Sequence, residues 1–304
     1  MPINIPNSLP AAETLRAENI FFITETRAVT QDIRPLKILL LNLMPTKIAT
    51  ETQFCRLLSN SSIQIEIELI TTKSHEAKNT SKEHMLAFYK TFDEIKDNKY
   101  DGMVITGAPV ENLEFEEVEY WEEVCRIMEW TKTHVTSTIH VCWGAQAALY
   151  YHYGIQKIQL DQKLSGVYLH KREDDMSDIL RGIDDVFYAP HSRNTTVLRE
   201  DIEKVDSLKI LASSEQAGVF VATNHNNRQI FIMGHPEYDT ETLNTEFIRD
   251  LDAGLNPPIP SNYYPDDDYT KKPINRWRSQ ASLIYINWLN YVYQETPYDL
   301  TSIS

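Results

Sequence analysis

Three cysteines in 304 residues, Cys55, Cys125 and Cys142, are too few for a disulfide framework, and their number is odd. None forms the C-x-x-C spacing of a metal site. Such sparse usage fits a reducing cytoplasm. Basic residues are also short: 29 Lys and Arg face 44 Asp and Glu, a net charge of -15. That balance argues against nucleic acid or an anionic membrane surface as a partner. It leaves room for a local basic pocket that takes an anionic small molecule. Long apolar runs are missing too. The longest, "LKILLLNLMP", is too short to cross a bilayer and reads as a buried strand. The opening "MPINIPNSLPAAETL" has no basic segment followed by an apolar core, so no secretory signal is expected. There is no internal repeat and no clear linker. The expectation is a Pro-rich, irregular leader over 1–35 with one strand, packed on a single domain over 36–304.

What is present alternates between strand and helix patterns. "LKILLLNL" (36–43) reads as a central strand, and a helix follows Pro45 with Ile48, Cys55 and Leu58 on its apolar face. "IQIEIELI" (63–70) alternates strictly, as a half-buried strand does. "SKEHMLAFYKTFDEI" reads as helix and "YDGMVITGAP" (100–109) as a strand ending in a Gly-Ala-Pro turn. An amphipathic helix with an acidic outer face covers 115–132, and the strand "STIHVC" leads into another helix. This order implies an α/β fold with a mainly parallel central sheet flanked by helices. The second half reads as several short strands, with "ATNHNNRQ" as a hairpin turn. A helix over 241–255, a long Pro- and Asp-rich loop over 256–273 and an aromatic closing helix over 274–295 complete the chain. The loop covers the site or is plain surface. The closing helix, with Trp277, Tyr285, Trp288, Tyr291 and Tyr293, reads as core, with a homodimer face as the alternative.

Cys142 stands at the changeover from strand to helix, with Gly144 two residues on. Open parallel sheets place their ligand crevices at such strand ends. A helix N-terminus there favours the thiolate, and Gly144 lets strand and helix approach closely. Cys55 and Cys125 lie mid-helix among apolar residues and read as small buried hydrophobes. A thiolate nucleophile usually needs a base. Among the 9 histidines, His75 and His84 fall in polar helical or loop sequence, His134 ends a helix and His225 lies in a turn. His140 shares the strand of Cys142 and is expected to be packed. His235 differs: it ends the strand "QIFIMGH" and is followed by Pro236 and Glu237. Pro236 prevents immediate helix entry, so Glu237 can reach back to one imidazole nitrogen and leave the other as base.

"HVCWGAQAA" with "GHPE", after "VITGAPVE", resembles the class I glutamine-amidotransferase-like fold. Within it the chain resembles the homoserine O-acyltransferases of methionine biosynthesis, from "MPINIP" through "ILLLNLMPTKIATETQ" to the C-terminal helix. Glutamine amidotransferases carry Gly two residues before the nucleophile, where this chain has His140, which favours the acyltransferase branch.

The resemblance implies a covalent acyl-thioester on Cys142, His235 as general base and Glu237 as its orienting partner. It also implies homoserine contacts at Lys163, Ser192 and Arg249. Glu111 matches the position that separates acetyl users, with Glu, from succinyl users, with Gly. A Glu carboxylate there would repel the terminal carboxylate of a succinyl chain. Two like charges about 4 Å apart cost on the order of 4 kcal/mol at an effective dielectric near 20. Lys47 is an auxiliary candidate for neutralising anionic substrate. The backbone N–H of Trp143 and one in the "NLMP" turn are candidates for holding the oxyanion. No metal or cofactor is expected beyond acetyl-CoA as co-substrate with homoserine. The alternatives are a succinyl-CoA enzyme, a glutaminase or cysteine peptidase on the same fold, and a non-catalytic module.

Overall fold

The computed structural model describes residues 3–6, 8–17, 22–24, 34–74, 79–297 and 299–303. His75 lies outside them. Among the described residues, twelve strands form one sheet: β1 (Ile3–Ile5), β2 (Phe22–Thr24), β3 (Leu36–Leu41), β4 (Ile65–Thr71), β5 (Tyr89–Thr91), β6 (Tyr100–Ile105), β7 (Val135–Val141), β8 (Lys157–Arg172), β9 (Val186–Val197), β10 (Leu208–Ser214), β11 (Gly218–Asn224) and β12 (Gln229–Ile232). Their spatial order is β2-β1-β4-β3-β6-β7-β12-β11-β10-β8-β9, with β5 beside β4. Pairing is parallel from β2 to β12 and antiparallel from β12 to β9. The fold is α/β with a mainly parallel sheet.

The helices are α1 (Ala11–Ala17), α2 (Lys47–Ser59), α3 (Lys82–Phe88), α4 (Phe92–Ile95), α5 (Trp121–His134), α6 (Trp143–Tyr153), α7 (Arg199–Glu203), α8 (Thr242–Asp252) and α9 (Arg278–Glu295). Parallel strands need long crossovers, and the helices supply them. Alternate strand residues feed two cores. Ile38, Leu40, Val104, Ile139, Ile230 and Ile232 pack on one face with Tyr285 and Trp288 of α9. Leu39, Leu41, Met103, Ile105 and Phe231 pack on the other with Ile127 of α5 and Leu149 of α6. The aromatic stripe of α9 therefore faces core, and only Tyr293 is well exposed. No helix among the described residues is long and apolar enough to cross a membrane.

Several elements differ from the sequence expectations. The helix expected over "SKEHMLAFYKTFDEI" is split by β5, because Tyr89, Lys90 and Thr91 pair with Leu69, Ile70 and Thr71 and suit a strand. The leader holds α1 and two short strands, with β1 lying between β2 and β4. The helix expected over 115–132 begins at Trp121, since Phe115–Glu117 form a separate 3-10 turn closed by Glu114 and Glu117. The closing helix starts at Arg278, because Asn275 Oδ1 accepts from the N–H groups of Trp277 (3.2 Å) and Arg278 (3.1 Å). In α2, Ile48 faces solvent. The second half contains two long strands, β8 and β9, paired as a hairpin with a register shift between Gln159 and Leu164. The start of β8 alternates only weakly, at Ile158, Leu160 and Leu164, and its apolar residues stay partly exposed.

The loop after α8 is stitched back onto β8. Ser261 N donates to Ser165 O (3.0 Å) and Val167 N donates to Ser261 O (2.8 Å). Gly166 lies between, with φ 148°, and a Cβ there would stand 2.5 Å from Ser261 backbone atoms. Close approach also governs the packing of α9: a Cβ on Gly102 would stand 2.7 Å from the Trp288 ring. Gly102→Ala is expected to destabilise the fold by about 1–3 kcal/mol through overpacking. Urea unfolding measures it, and pairing with Trp288→Phe should restore part of the loss.

Candidate active site

β7 ends at Val141, and Cys142 takes φ 50°, ψ -116° before α6 begins. That is a strained conformation for a non-glycine residue, costing about 1–3 kcal/mol. Cys142 N donates to Ile232 O (2.7 Å), so the turn is tied to β12. A Cβ on Gly144 would stand 2.7 Å from Thr106 O and 3.1 Å from Ile105 O. Only hydrogen fits, and α6 closes on the end of β6. The strand therefore cannot run straight on, and Cys142 turns out of the sheet at the helix start. The indole of Trp143 is fully buried among Phe115, Tyr120 and Trp121. Only its backbone N–H, which has no acceptor within the helix, is available to the site.

His235 follows β12. Its N–H donates to Pro190 O (2.8 Å), and Gly234 lets the chain pass Pro190 O, 2.7 Å from where a Cβ would be. Nδ1–H of His235 donates to Glu237 Oε1 at 2.7 Å. Tyr238 stacks on the imidazole at 4.1 Å between ring centroids and 17° between planes. Cys142 and His235 meet across Gly107: a Cβ there would stand 3.2 Å from Cys142 Cβ and 3.7 Å from His235 Cε1. All three side chains are buried. Burial disfavours an imidazolium, yet the charges of Cys142 and Glu237 overcome it and hold the His235 pKa well above 6.5. Burial raises the thiols of Cys55 and Cys125 to about 12, aided by nearby carboxylates. They stay protonated and inert at neutral pH.

Cys142 and His235 open onto a cleft of about 900 Å³. Lys163, Ser192 and Arg249, from three separate elements, converge on one wall around Glu246 and Asp250 of α8. Lys163 Nζ lies 3.0 Å from Asp250 Oδ2 and 3.9 Å from Glu246 Oε2. Ser192 Oγ donates to Glu246 Oε2 (2.5 Å), and Tyr238 Oη donates to Glu246 Oε1 (2.8 Å). Arg249 binds Asp250 Oδ1 through Nε (2.9 Å) and Nη2 (2.6 Å). Glu246 thus links the Ser192 wall to the ring that stacks on His235. Sequence reasoning missed Glu246 and Asp250. The signal was present: Thr242, Thr245, Glu246, Arg249 and Asp250 recur at helical spacing and all line the cleft. Glu111 and Asn194 line it as well, as do Asn256, Pro257 and Pro258 at the start of the long loop.

Some expectations are corrected. Lys47 does not line the cleft. Its Nζ is buried and donates to Asn42 O (2.5 Å), and burial lowers its pKa to about 8 against the pull of Glu51. In the "NLMP" turn, Leu43 N donates to Thr106 Oγ1 (2.8 Å) and Met44 N to Asn42 Oδ1 (3.2 Å). Neither is free for an oxyanion, whereas the Gly107–Ala108 segment lies against Cys142. His84 is buried, with Nε2 2.9 Å from Glu51 Oε1. His140, in contrast, is packed as expected, against Phe231, and burial lowers its pKa to about 3.

Comparisons with known proteins follow this geometry. A family model described as homoserine O-succinyltransferase matches residues 2–298. A homoserine O-acetyltransferase from Clostridium novyi is 60% identical, over 98% of this chain and 99% of its own. One from Acetivibrio thermocellus is 58% identical over the full length of both chains. One from Methanomethylophilus alvi is 55% identical, over 100% of this chain and 98% of its own. Among solved structures, a glutamine amidotransferase from Thermotoga maritima matches with a TM-score of 0.54 at 10% identity, covering 86% of this chain and 99% of that one. Another from Methylobacillus flagellatus matches with a TM-score of 0.52 at 11% identity, covering 86% and 96%. The solved structures speak for the fold alone.

Glu237 is one of two anionic influences on His235, so Glu237→Gln should lower the imidazole pKa. A raised pKa keeps the imidazolium until pH climbs through it, so the wild-type ring should stay charged to higher pH than a free imidazole. In the variant the ring should lose its proton at lower pH. NMR titration of the His235 ring checks this. Identical titration curves would mean that the carboxylate does not bear on the base.

Proposed function

The chain belongs to the homoserine O-succinyltransferase family, and from that premise we propose that it moves the acetyl group of acetyl-CoA to the hydroxyl of L-homoserine. The enzyme is an acyltransferase. One observation carries the chemistry: the Cys142 elbow and His235 line the cleft on either side of Gly107, and Glu237 bonds the His235 ring. That joins a nucleophile, a base and an orienting carboxylate.

In the first half-reaction the Cys142 thiolate attacks the thioester carbonyl carbon of acetyl-CoA. The oxyanion is held by the Trp143 N–H and the Gly107–Ala108 segment. The bond to the CoA sulfur breaks, and the imidazolium of His235 gives its proton to the departing thiolate. Acylation also removes the Cys142 charge that helped to hold His235 protonated, so the ring is now a base. In the second half-reaction it takes the proton of the homoserine hydroxyl as that oxygen attacks the acyl carbon. The bond to Cys142 breaks, O-acetylhomoserine leaves, and thiolate and imidazolium are restored. Lys163, Ser192 and Arg249 hold the amino acid, whose carboxylate suits the fork of Arg249. Glu111 selects acetyl over succinyl by charge and size. The reaction needs no metal or further cofactor. It commits homoserine to methionine synthesis, and the free thiol fits a reducing cytoplasm.

Intact-protein mass spectrometry after mixing with acetyl-CoA tests the covalent step. Wild type, Cys55→Ala and Cys125→Ser should carry one acetyl group, and Cys142→Ser none. Turnover in Cys142→Ser should drop by at least about a thousandfold. Near-normal turnover there would sink the mechanism. Labelling by succinyl-CoA in preference to acetyl-CoA would favour the succinyl reading.

A further inference from the structure

We propose that Asn194 is a positioning residue for donor choice: it anchors the Glu111 side chain as a fixed bar in the cleft. The proposal rests on the reading of Glu111 as the donor selector and adds what makes that side chain able to select. Glu111 stands on the loop after β6, and Asn194 lies in β9. The Asn194 Nδ2 donates to Glu111 Oε1 (2.7 Å), and the Asn194 backbone N–H donates to Glu111 Oε2 (3.0 Å). Both carboxylate oxygens are therefore held by one residue. The main chain of Glu111 is held as well, because Lys157 Nζ of β8 donates to its carbonyl (2.7 Å). A long, flexible side chain is thus fixed at both ends by the β8–β9 hairpin.

Strand periodicity places Ser192 and Asn194 on the same face of β9. Both line the cleft. Ser192 bonds Glu246 on the wall with Lys163 and Arg249, and Asn194 bonds Glu111. Arg193 between them is buried. It donates to the carbonyls of Thr195 (3.3 Å) and Ala217 (2.5 Å) and forms no ion pair among the described residues. Burial lowers its pKa to about 10, while the charges of Cys142 and Glu111 act against that fall. The Glu111 charge thus has a buried counter-charge behind its anchor.

The anchor matters because an unheld Glu can rotate out of the cleft and admit a longer acyl chain. Held by two N–H donors, Glu111 keeps its bulk and charge in place, where a succinyl carboxylate would meet both. Asn194→Ala leaves the backbone donor and removes the shorter bond. Asn194→Asp replaces the side-chain donor with a like charge and should expel Glu111.

The test uses the full-length enzyme and kcat/KM for acetyl-CoA and succinyl-CoA. Variants are Asn194→Ala, Asn194→Asp, Glu111→Gly and the double variant Asn194→Ala/Glu111→Gly. The readout is the acetyl-to-succinyl ratio, since a general loss of structure lowers both rates alike and leaves the ratio unmoved. The ratio should fall about tenfold in Asn194→Ala, which is about 1.4 kcal/mol, and by less in Asn194→Asp, whose own carboxylate lines the cleft and also repels a succinyl chain. The double variant should match Glu111→Gly, because Asn194 acts only through Glu111. A ratio unchanged by both Asn194 variants but lowered by Glu111→Gly overturns the anchor and leaves Glu111 as selector. Additive effects in the double variant overturn it too, by showing that Asn194 meets the acyl chain directly. A ratio unmoved by Glu111→Gly defeats the selector reading and the anchor together.

Discussion

The gap between α6 and the carbonyls at the end of β6 sets the geometry of everything around Cys142. At Gly144 it admits hydrogen and no more. Because the helix starts that close, the chain must reverse sharply at the preceding strand end, and Cys142 absorbs the turn at φ 50°. The same approach sets the Cys142 side chain beside Gly107 and at the N-terminus of the helix, whose N–H groups favour negative charge. A bulkier residue at 144 would push the helix outward and relax the elbow. Sulfur, helix dipole and Gly107 segment would then separate together.

Around that elbow the electrostatics are built from buried groups that depend on one another. Burial disfavours a charge on His235, while Cys142 and Glu237 raise its pKa. In the reaction proposed above, acylation would remove the Cys142 contribution. On that proposal the reaction itself would switch the base. Glu237 supplies the constant part of the field, and the stacked Tyr238 ring fixes the imidazole plane. Tyr238 also bonds Glu246, so the wall with Ser192 and the base share one rigid support.

Much of this was legible in the sequence, for local reasons. Cys142 sits where a β-branched run meets helix formers, and His235 and Glu237 are separated only by a proline. The strands of the parallel half announce themselves as apolar runs, because a sheet buried on both faces needs them. The antiparallel half was harder. β8 begins in "KIQLDQKLS", where Ile158, Leu160 and Leu164 alternate with polar residues but stay partly exposed, so the core signal is weak, and β5 hides inside a helical pattern. Lys163, Ser192 and Arg249 are single polar residues that only tertiary folding collects, so resemblance alone could name them. Lys47 misled because a strand-end position suggests the crevice. The first turn of α2 carries its ammonium inward to Asn42 O and Glu51 instead.

The stitch between Ser261 and β8 bears on traffic through the cleft. Its two hydrogen bonds are backbone to backbone, and the glycine beneath them leaves no slack. Asn256, Pro257 and Pro258 form the rim just before it, and the two prolines are stiff. With α8 on one side and the stitch on the other, this edge is a jamb and not a door. In the reaction proposed above, acyl donor and amino acid would both pass this same pinned edge.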